Sequence, residues 1–166
     1  MLHQVFGENF GGVPVQIVGT GLSTDILKEA REATFTPYAV AQTPPDVVNK
    51  YFTKTEDKSH YVFDRKLLGS VRFLQHNLMN RLPSMDQFDA VFVRNVMIYF
   101  NAALQSRVLH RIHYALNADG MLFLGTSETV GNMESLFEMR AGGDKIFSKR
   151  RVSVSNPPRF EMGNSA

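Results

Sequence analysis

The sequence predicts an α/β domain built on a mostly parallel sheet, and three observations carry that expectation. Short strand-like apolar runs alternate with amphipathic helix patterns along the chain. The strongest run, Phe88 to Val93, is nearly continuous in apolar residues, the pattern of a strand buried on both faces. The chain has 166 residues, 43% hydrophobic and 20% charged, a size and composition suited to one globular core.

Taken in order, the first dozen residues read as the end of a helix followed by a turn at Gly11 and Gly12. Residues 15–18 form a short strand. Ser23 or Thr24 then caps a helix to about Ala33, with Ile26, Leu27 and Ala30 on one face. Thr43, Pro44 and Pro45 open a second helix that ends near Phe52. Residues 53–59 are charged and polar, as in a surface loop, and residues 60–63 and 71–75 read as strands. Beyond the strong strand, Asn101 caps a helix to about Leu116, with Leu104, Val108, Leu109, Ile112, Ala115 and Leu116 as its apolar stripe. Residues 117–120 read as a turn and 121–124 as another buried strand. Residues 137–140 and 145–148 flank Gly142 and Gly143, an antiparallel hairpin closing one edge of the sheet. Residues 152–166 read as a loose tail.

Composition excludes several functions. With no cysteine there is no disulfide framework, no thiolate nucleophile and no cysteine-ligated metal. The net charge is only +2, so no nucleic-acid partner is expected. The start lacks the basic and apolar regions of a signal peptide. The most apolar stretch, residues 90–100, is short and broken by Arg94 and Asn95. The expectation is a soluble, cytoplasmic protein without membrane insertion.

In parallel sheets, ligands bind beyond the carboxyl ends of the strands. After the first strand stands Gly19-Thr20-Gly21-Leu22-Ser23-Thr24, similar to the start of a phosphate-binding loop. The third glycine of a dinucleotide fingerprint is absent, and the alternative is a tight strand-to-helix turn. After the strand at 71–75 come His76, Asn77 and Leu78, where an amide can meet an adenine edge and a leucine its face. Asn77 is otherwise a turn residue. After the strong strand come Arg94 and Asn95, either ligand-binding or, for Arg94, ion-paired with Asp89 or Glu128. Tyr99 follows as a surface-facing ring. Gly125-Thr126-Ser127-Glu128 closes the last parallel strand, with Glu128 read as a possible helix cap. His110 and His113 share a helix face without a metal-ligand pattern and read as solvated, as does Lys149-Arg150-Arg151.

Together these strand ends resemble the CheR-type chemotaxis receptor methyltransferases. The run FDAVFVRNVMIYFN, residues 88–101, and the run LNADGMLFLGTSET, residues 116–129, are similar to that family's FD-x-[IV]-F-C-R-N-V-[LM]-I-Y-F-[DN] and L-x-x-G-G-x-L-F-x-G-x-S-E. Val93 replaces the usual Cys and Asp119 the usual first Gly. Upstream, VGTGLSTDILKEAR resembles A-T-D-I-S-T-x-x-L-x-x-A-R, and QHNLMN resembles the family's N-L segment. The resemblance covers about residues 15–149.

It implies a Rossmann-like, S-adenosylmethionine-dependent methyltransferase sheet, mostly parallel with a terminal antiparallel hairpin. The implied organisation is a methyltransferase domain over 1–150, with a small β-subdomain inserted at about 34–73, and a flexible tail over 151–166. The implied reaction is O-methylation of glutamate side chains on bacterial chemoreceptors, with S-adenosyl-L-methionine as cofactor. Asn77 and Leu78 fall at the adenine, Arg94 and Asn95 beside the cofactor, and Tyr99 near the transferred methyl, with Tyr99 and Arg94 as the catalytic pair. No metal is implied. The loop at residues 53–58 has no glycine, so docking of a receptor tail peptide there is not expected.

The sequence also departs from the family. Its helical N-terminal domain, first strand and glycine-rich loop have no counterpart here, and the acid expected to hold the ribose aligns with Gly21. A truncated or degenerate member is therefore expected, one that alone binds the cofactor weakly or not at all and shows no measurable methyl transfer. Self-association, or a partner strand that fills the sheet, is expected too. The competing expectations are a non-catalytic interaction module on the same fold and a nucleotide-binding oxidoreductase using residues 19–24.

Overall fold

The computed structural model describes residues 14–80, 88–142 and 144–151. The expected N-terminal helix end, Gly143 and the tail from residue 152 onward lie outside them. Two compact units are formed, one ending at Asn77 and the other starting at Leu78.

In the first unit, β1 (Ile17–Gly21) pairs in parallel with β5 (Val71–Gln75), with Gly21 opposite Gln75. β1 begins two residues later than the sequence predicts and runs through Gly19 and Gly21, which are therefore strand rather than a phosphate loop. The reason lies across the ladder. A Cβ on Gly19 would stand 2.8 Å from the Phe73 ring, so the glycine makes room for an aromatic neighbour. Helix α1 (Thr24–Glu32) follows, its N-terminus capped by Ser23, whose Oγ accepts from the Ile26 N–H at 3.3 Å. Leu27 is buried as expected, but Ile26 faces solvent. Arg31 donates to the Phe73 carbonyl at 2.9 Å and fastens the helix to β5.

β2 (Thr34–Phe35), α2 (Pro37–Val40) and α3 (Pro45–Tyr51) lead into the hairpin of β3 (Phe52–Lys54) and β4 (Tyr61–Phe63). These strands form a separate antiparallel sheet, ordered β2-β4-β3. The hairpin turn is closed by Asp57, which accepts from the Thr55 hydroxyl at 2.5 Å and the Ser59 hydroxyl at 2.6 Å. Those bonds hold its carboxyl well below the usual carboxylate range. A 3-10 stretch, Arg65–Ser70, returns the chain to β5.

The second unit holds β6 (Phe88–Val93), a 3-10 turn (Met97–Tyr99), α4 (Ala102–Ala115) and β7 (Leu116–Leu124). β6 and β7 are parallel with α4 between them, the βαβ unit that the alternation predicts. Asn101 caps α4 through its Oδ1, which accepts from the Leu104 N–H at 3.0 Å. The helix passes into β7 with no intervening residue. The expected turn at 117–120 is instead a bulge at the start of β7, where the register against β6 shifts between Phe88 and Ala90. Asn117 donates to Asp89 across it at 2.6 Å.

β8 (Phe137–Met139) and β9 (Ile146–Lys149) form the expected antiparallel hairpin, giving the order β6-β7-β9-β8. One face of this sheet and α4 share a core of Val93, Met97, Val108, Leu109, Ile112, Leu122 and Phe147, among others. β6 is not buried on both faces: Phe92 is 58% exposed and stacks on Phe123 at 4.4 Å. His113 is buried rather than solvated. Its Nε2 meets the Arg150 carbonyl at 3.0 Å, and burial lowers its pKa. Lys149 is likewise drawn in, donating to the Leu116 carbonyl at 2.6 Å, while Arg150 and Arg151 stay exposed.

Candidate functional site

The residues that the sequence singles out follow the carboxyl ends of β5 and β6, and they are divided between the two units. The second unit supplies the better-defined group. After Val93 the chain leaves β6 through Arg94 and Asn95, and Asn95 adopts a left-handed conformation with φ of 59°. Asparagine tolerates that region better than most residues, but at a cost that its surroundings must offset. The 3-10 turn then buries Met97 at 1% exposure and turns Tyr99 outward at 79%.

What holds this turn is Glu128, 3% exposed. Its Oε1 accepts from the N–H groups of Val96 at 2.9 Å and Met97 at 2.8 Å. Its Oε2 accepts from Asn95 at 3.0 Å and Gly125 at 2.7 Å. Burial alone would raise its pKa, but the four N–H groups outweigh that, and its carboxyl lies below the usual range. The residue expected to cap a following helix therefore caps the 3-10 turn of another loop. Gly125 is required for this: a Cβ there would fall 2.7 Å from Oε2.

The alternative ion pairs for Arg94 are absent among the described residues. Glu128 is fully occupied by N–H donors, Asp89 accepts from Asn117, and the ion pairs among the described residues join Arg150 to Glu138 and Arg151 to Asp119. Arg94 is left exposed at the mouth of β6, beside Asn95. Leu78, half-buried, packs against the second unit's core. Its carbonyl accepts from Arg111 at 3.1 Å, and Arg111 also bonds the Met79 carbonyl. The structure thus places Leu78, Arg94, Asn95 and Tyr99 in one unit. Asn77 closes the other, exposed just after β5.

In that first unit, Gly21 ends β1 with its carbonyl accepting from His76 N–H at 3.0 Å. A Cβ there would meet only Leu27, at an ordinary 3.5 Å. The glycine answers no steric demand, and it brings no side-chain acceptor of its own.

The sequence did not show which two residues hold the loop after β6. One is Glu128 in its actual role. The other is Gln105 of α4, whose Nε2 donates to the carbonyls of Met97 and Phe100, both at 3.0 Å. A strict accounting of backbone donors in residues 95–97 would have demanded an acceptor, but not named it. Among the described residues there is no group of three metal-ligating side chains, and no helix is long and apolar enough to cross a membrane.

A family model described as CheR methyltransferase, SAM binding domain, matches residues 1–146. Chemotaxis protein methyltransferase 2 of Vibrio cholerae is 33% identical over 130 residues, 77% of this chain and 45% of that protein. Chemotaxis protein methyltransferase 1 of Pseudomonas aeruginosa is 34% identical over 126 residues, 75% of this chain and 46% of that protein. The Escherichia coli chemotaxis protein methyltransferase is 31% identical over 128 residues, 75% of this chain and 45% of that protein. The chain spans about half the length of the curated relatives it matches.

Proposed function

Since the chain belongs to the CheR methyltransferase family, whose SAM-binding domain it matches, we propose that it is the cofactor-binding part of a chemoreceptor methyltransferase. Its substrates are glutamate side chains on bacterial chemoreceptors, and it works in the cytoplasm. The domain organisation follows: a methyltransferase domain over 1–150 with an inserted subdomain at about 34–73. The separate antiparallel sheet of β2, β3 and β4 supports that insertion. The observation that best supports the reading is the Glu128 clamp. It joins the two family motifs, RNVMIY and GTSE, into one hydrogen-bonded loop pair bearing exposed Arg94, Asn95 and Tyr99.

Taken residue by residue within each unit, the side chains are of types that suit S-adenosylmethionine, with one gap. Leu78 offers an apolar face and Asn77 an amide for the adenine. Arg94 and Asn95 offer donors for the amino-acid end. Glu128 offers nothing, because both its oxygens are already used. At the end of β1, where the resemblance puts the ribose acceptor, Gly21 has none. We therefore assign the chain impaired cofactor binding.

When bound, the cofactor supplies an electrophilic methyl group on a sulfonium. The protein's own task is mainly positional. A glutamate carboxylate is already ionised near neutral pH, so no general base is required. Arg94 and Asn95 hold and orient, and Tyr99 aligns the acceptor, which is the work of proximity rather than of proton transfer. The opposing reading is a non-catalytic interaction module, and bare Gly21 is the observation in its favour.

The test is transfer of labelled methyl groups to receptor membranes, by this chain and by its Gly21→Asp variant, with a full-length relative as control. The expected result is base-labile label on the receptor, greater for Gly21→Asp than for the unaltered chain and below the control for both. Label that resists base, or none from either protein, overturns the proposal.

A further inference from the structure

The loop of residues 94–100 is fastened from two sides by side chains that bond its backbone. On the N–H side, Glu128 takes Asn95, Val96 and Met97, with Gly125 completing its four bonds. On the carbonyl side, Gln105 gives both hydrogens of its Nε2 to Met97 and Phe100. Between the fastenings the local bonds are few: Tyr99 N–H to the Val96 carbonyl at 3.3 Å and Phe100 N–H to the Met97 carbonyl at 3.0 Å.

A left-handed asparagine followed by one short 3-10 turn has no regular structure to keep it in place. Left alone, such a loop would sample other conformations, and Tyr99, exposed at its crest, would move with it. The two braces come from different elements, one from the α4 helix and one from the loop after β7. The loop is thus set by the fold on both sides, independently of any ligand.

We propose that Glu128 and Gln105 are positioning residues, jointly fixing the loop that presents Arg94, Asn95 and Tyr99 while touching neither cofactor nor substrate. This inference rests on the function proposed above, and its test separates the two. The full chain is labelled with 3-fluorotyrosine, and the Tyr99 resonance is assigned by Tyr99→Phe. Binding of S-adenosylhomocysteine is followed by ligand-detected NMR. Glu128→Gln turns one acceptor into a donor facing N–H groups. Gln105→Leu keeps the shape and removes both donors, and it serves if Glu128→Gln does not fold.

In the unaltered chain Tyr99 gives one sharp line. In the variants that line shifts or splits, while that of Tyr114, on α4 of the same unit, stays unchanged, which a general loss of stability would not produce. Affinity for S-adenosylhomocysteine falls about tenfold in each variant, as a small misplacement of a binding group does. If the unaltered chain binds and the variants bind equally, with Tyr99 unmoved, the brace is refuted and the functional reading survives. If Tyr99 responds as expected but no protein binds the probe, the brace stands and the cofactor reading falls.

Discussion

Gly125→Ala is a one-methyl test of the Glu128 clamp. The added Cβ would lie 2.7 Å from Glu128 Oε2, 3.1 Å from Asn95 Oδ1 and 3.2 Å from Asn95 N. Contact at 2.7 Å is not sustained, so the carboxylate must withdraw by about half an ångström. Withdrawal stretches the two bonds to Oε2, from Gly125 at 2.7 Å and Asn95 at 3.0 Å, and spares those to Oε1. A hydrogen bond to a charged group contributes about 1.5–3 kcal/mol, and weakening two of them costs about 2–4 kcal/mol. Loss of glycine's freedom in the unfolded chain returns about 0.4–1 kcal/mol.

The net expectation is a destabilisation of about 1–3.5 kcal/mol. Gly69→Ala is the control, because a Cβ there meets nothing within 4 Å. It should stay within about 0.5 kcal/mol of the unaltered chain. The assay is urea unfolding, with amide exchange of β7 assigning the transition to the second unit, since two units need not melt together. Combined with Glu128→Gln, the losses should be less than additive, because both remove the same bonds. A Gly125→Ala midpoint equal to that of Gly69→Ala, or full additivity with Glu128→Gln, would refute the clamp.

Two further outcomes are expected. Stability should fall with acid in two stages. Burial holds His113 below its ordinary 6.5, so its contribution is full above about pH 6.5 and declines as pH drops toward the folded value; His113→Gln should flatten that stage in urea midpoints. Glu128 titrates below its ordinary 4.5 when folded, so its contribution persists down to about pH 4.5 and is lost below, a stage Glu128→Gln should remove. Gly21→Asp should fold normally, given the ordinary 3.5 Å contact with Leu27. It should raise affinity for S-adenosylhomocysteine by about tenfold or more by calorimetry, the effect of one charged hydrogen bond. An unchanged affinity would mean that position 21 does not face the ribose.

Local chemistry was legible in the sequence, and contact across the fold was not. The strand bounds Phe88–Val93 and Val71–Gln75 followed from apolar runs, and the caps at Ser23 and Asn101 from side chains that bond their own backbone. Gly19 misled because its cause, the Phe73 ring, lies 54 positions away on another strand. His113 misled because helical spacing marks a face without saying how deeply the next strand covers it. The motif singled out Leu78, Arg94, Asn95 and Tyr99, yet the acid that holds the loop bearing three of them was read as a cap for the next helix. A carboxylate neutralised by backbone N–H groups has no charged partner in the sequence to betray it.

The direct passage from α4 to β7 constrains how this unit can change in length. Leu116 closes the helix with its N–H on the Ile112 carbonyl, opens the strand opposite Phe88, and is wholly buried. One inserted residue before it would turn the helix by about 100° relative to the strand, or else send every β7 side chain to the opposite face. The exposed turn at Ala141 and Gly142 lies outside that coupling. Insertions, deletions and fused sequences therefore belong in the terminal hairpin, and the helix–strand junction must be inherited whole.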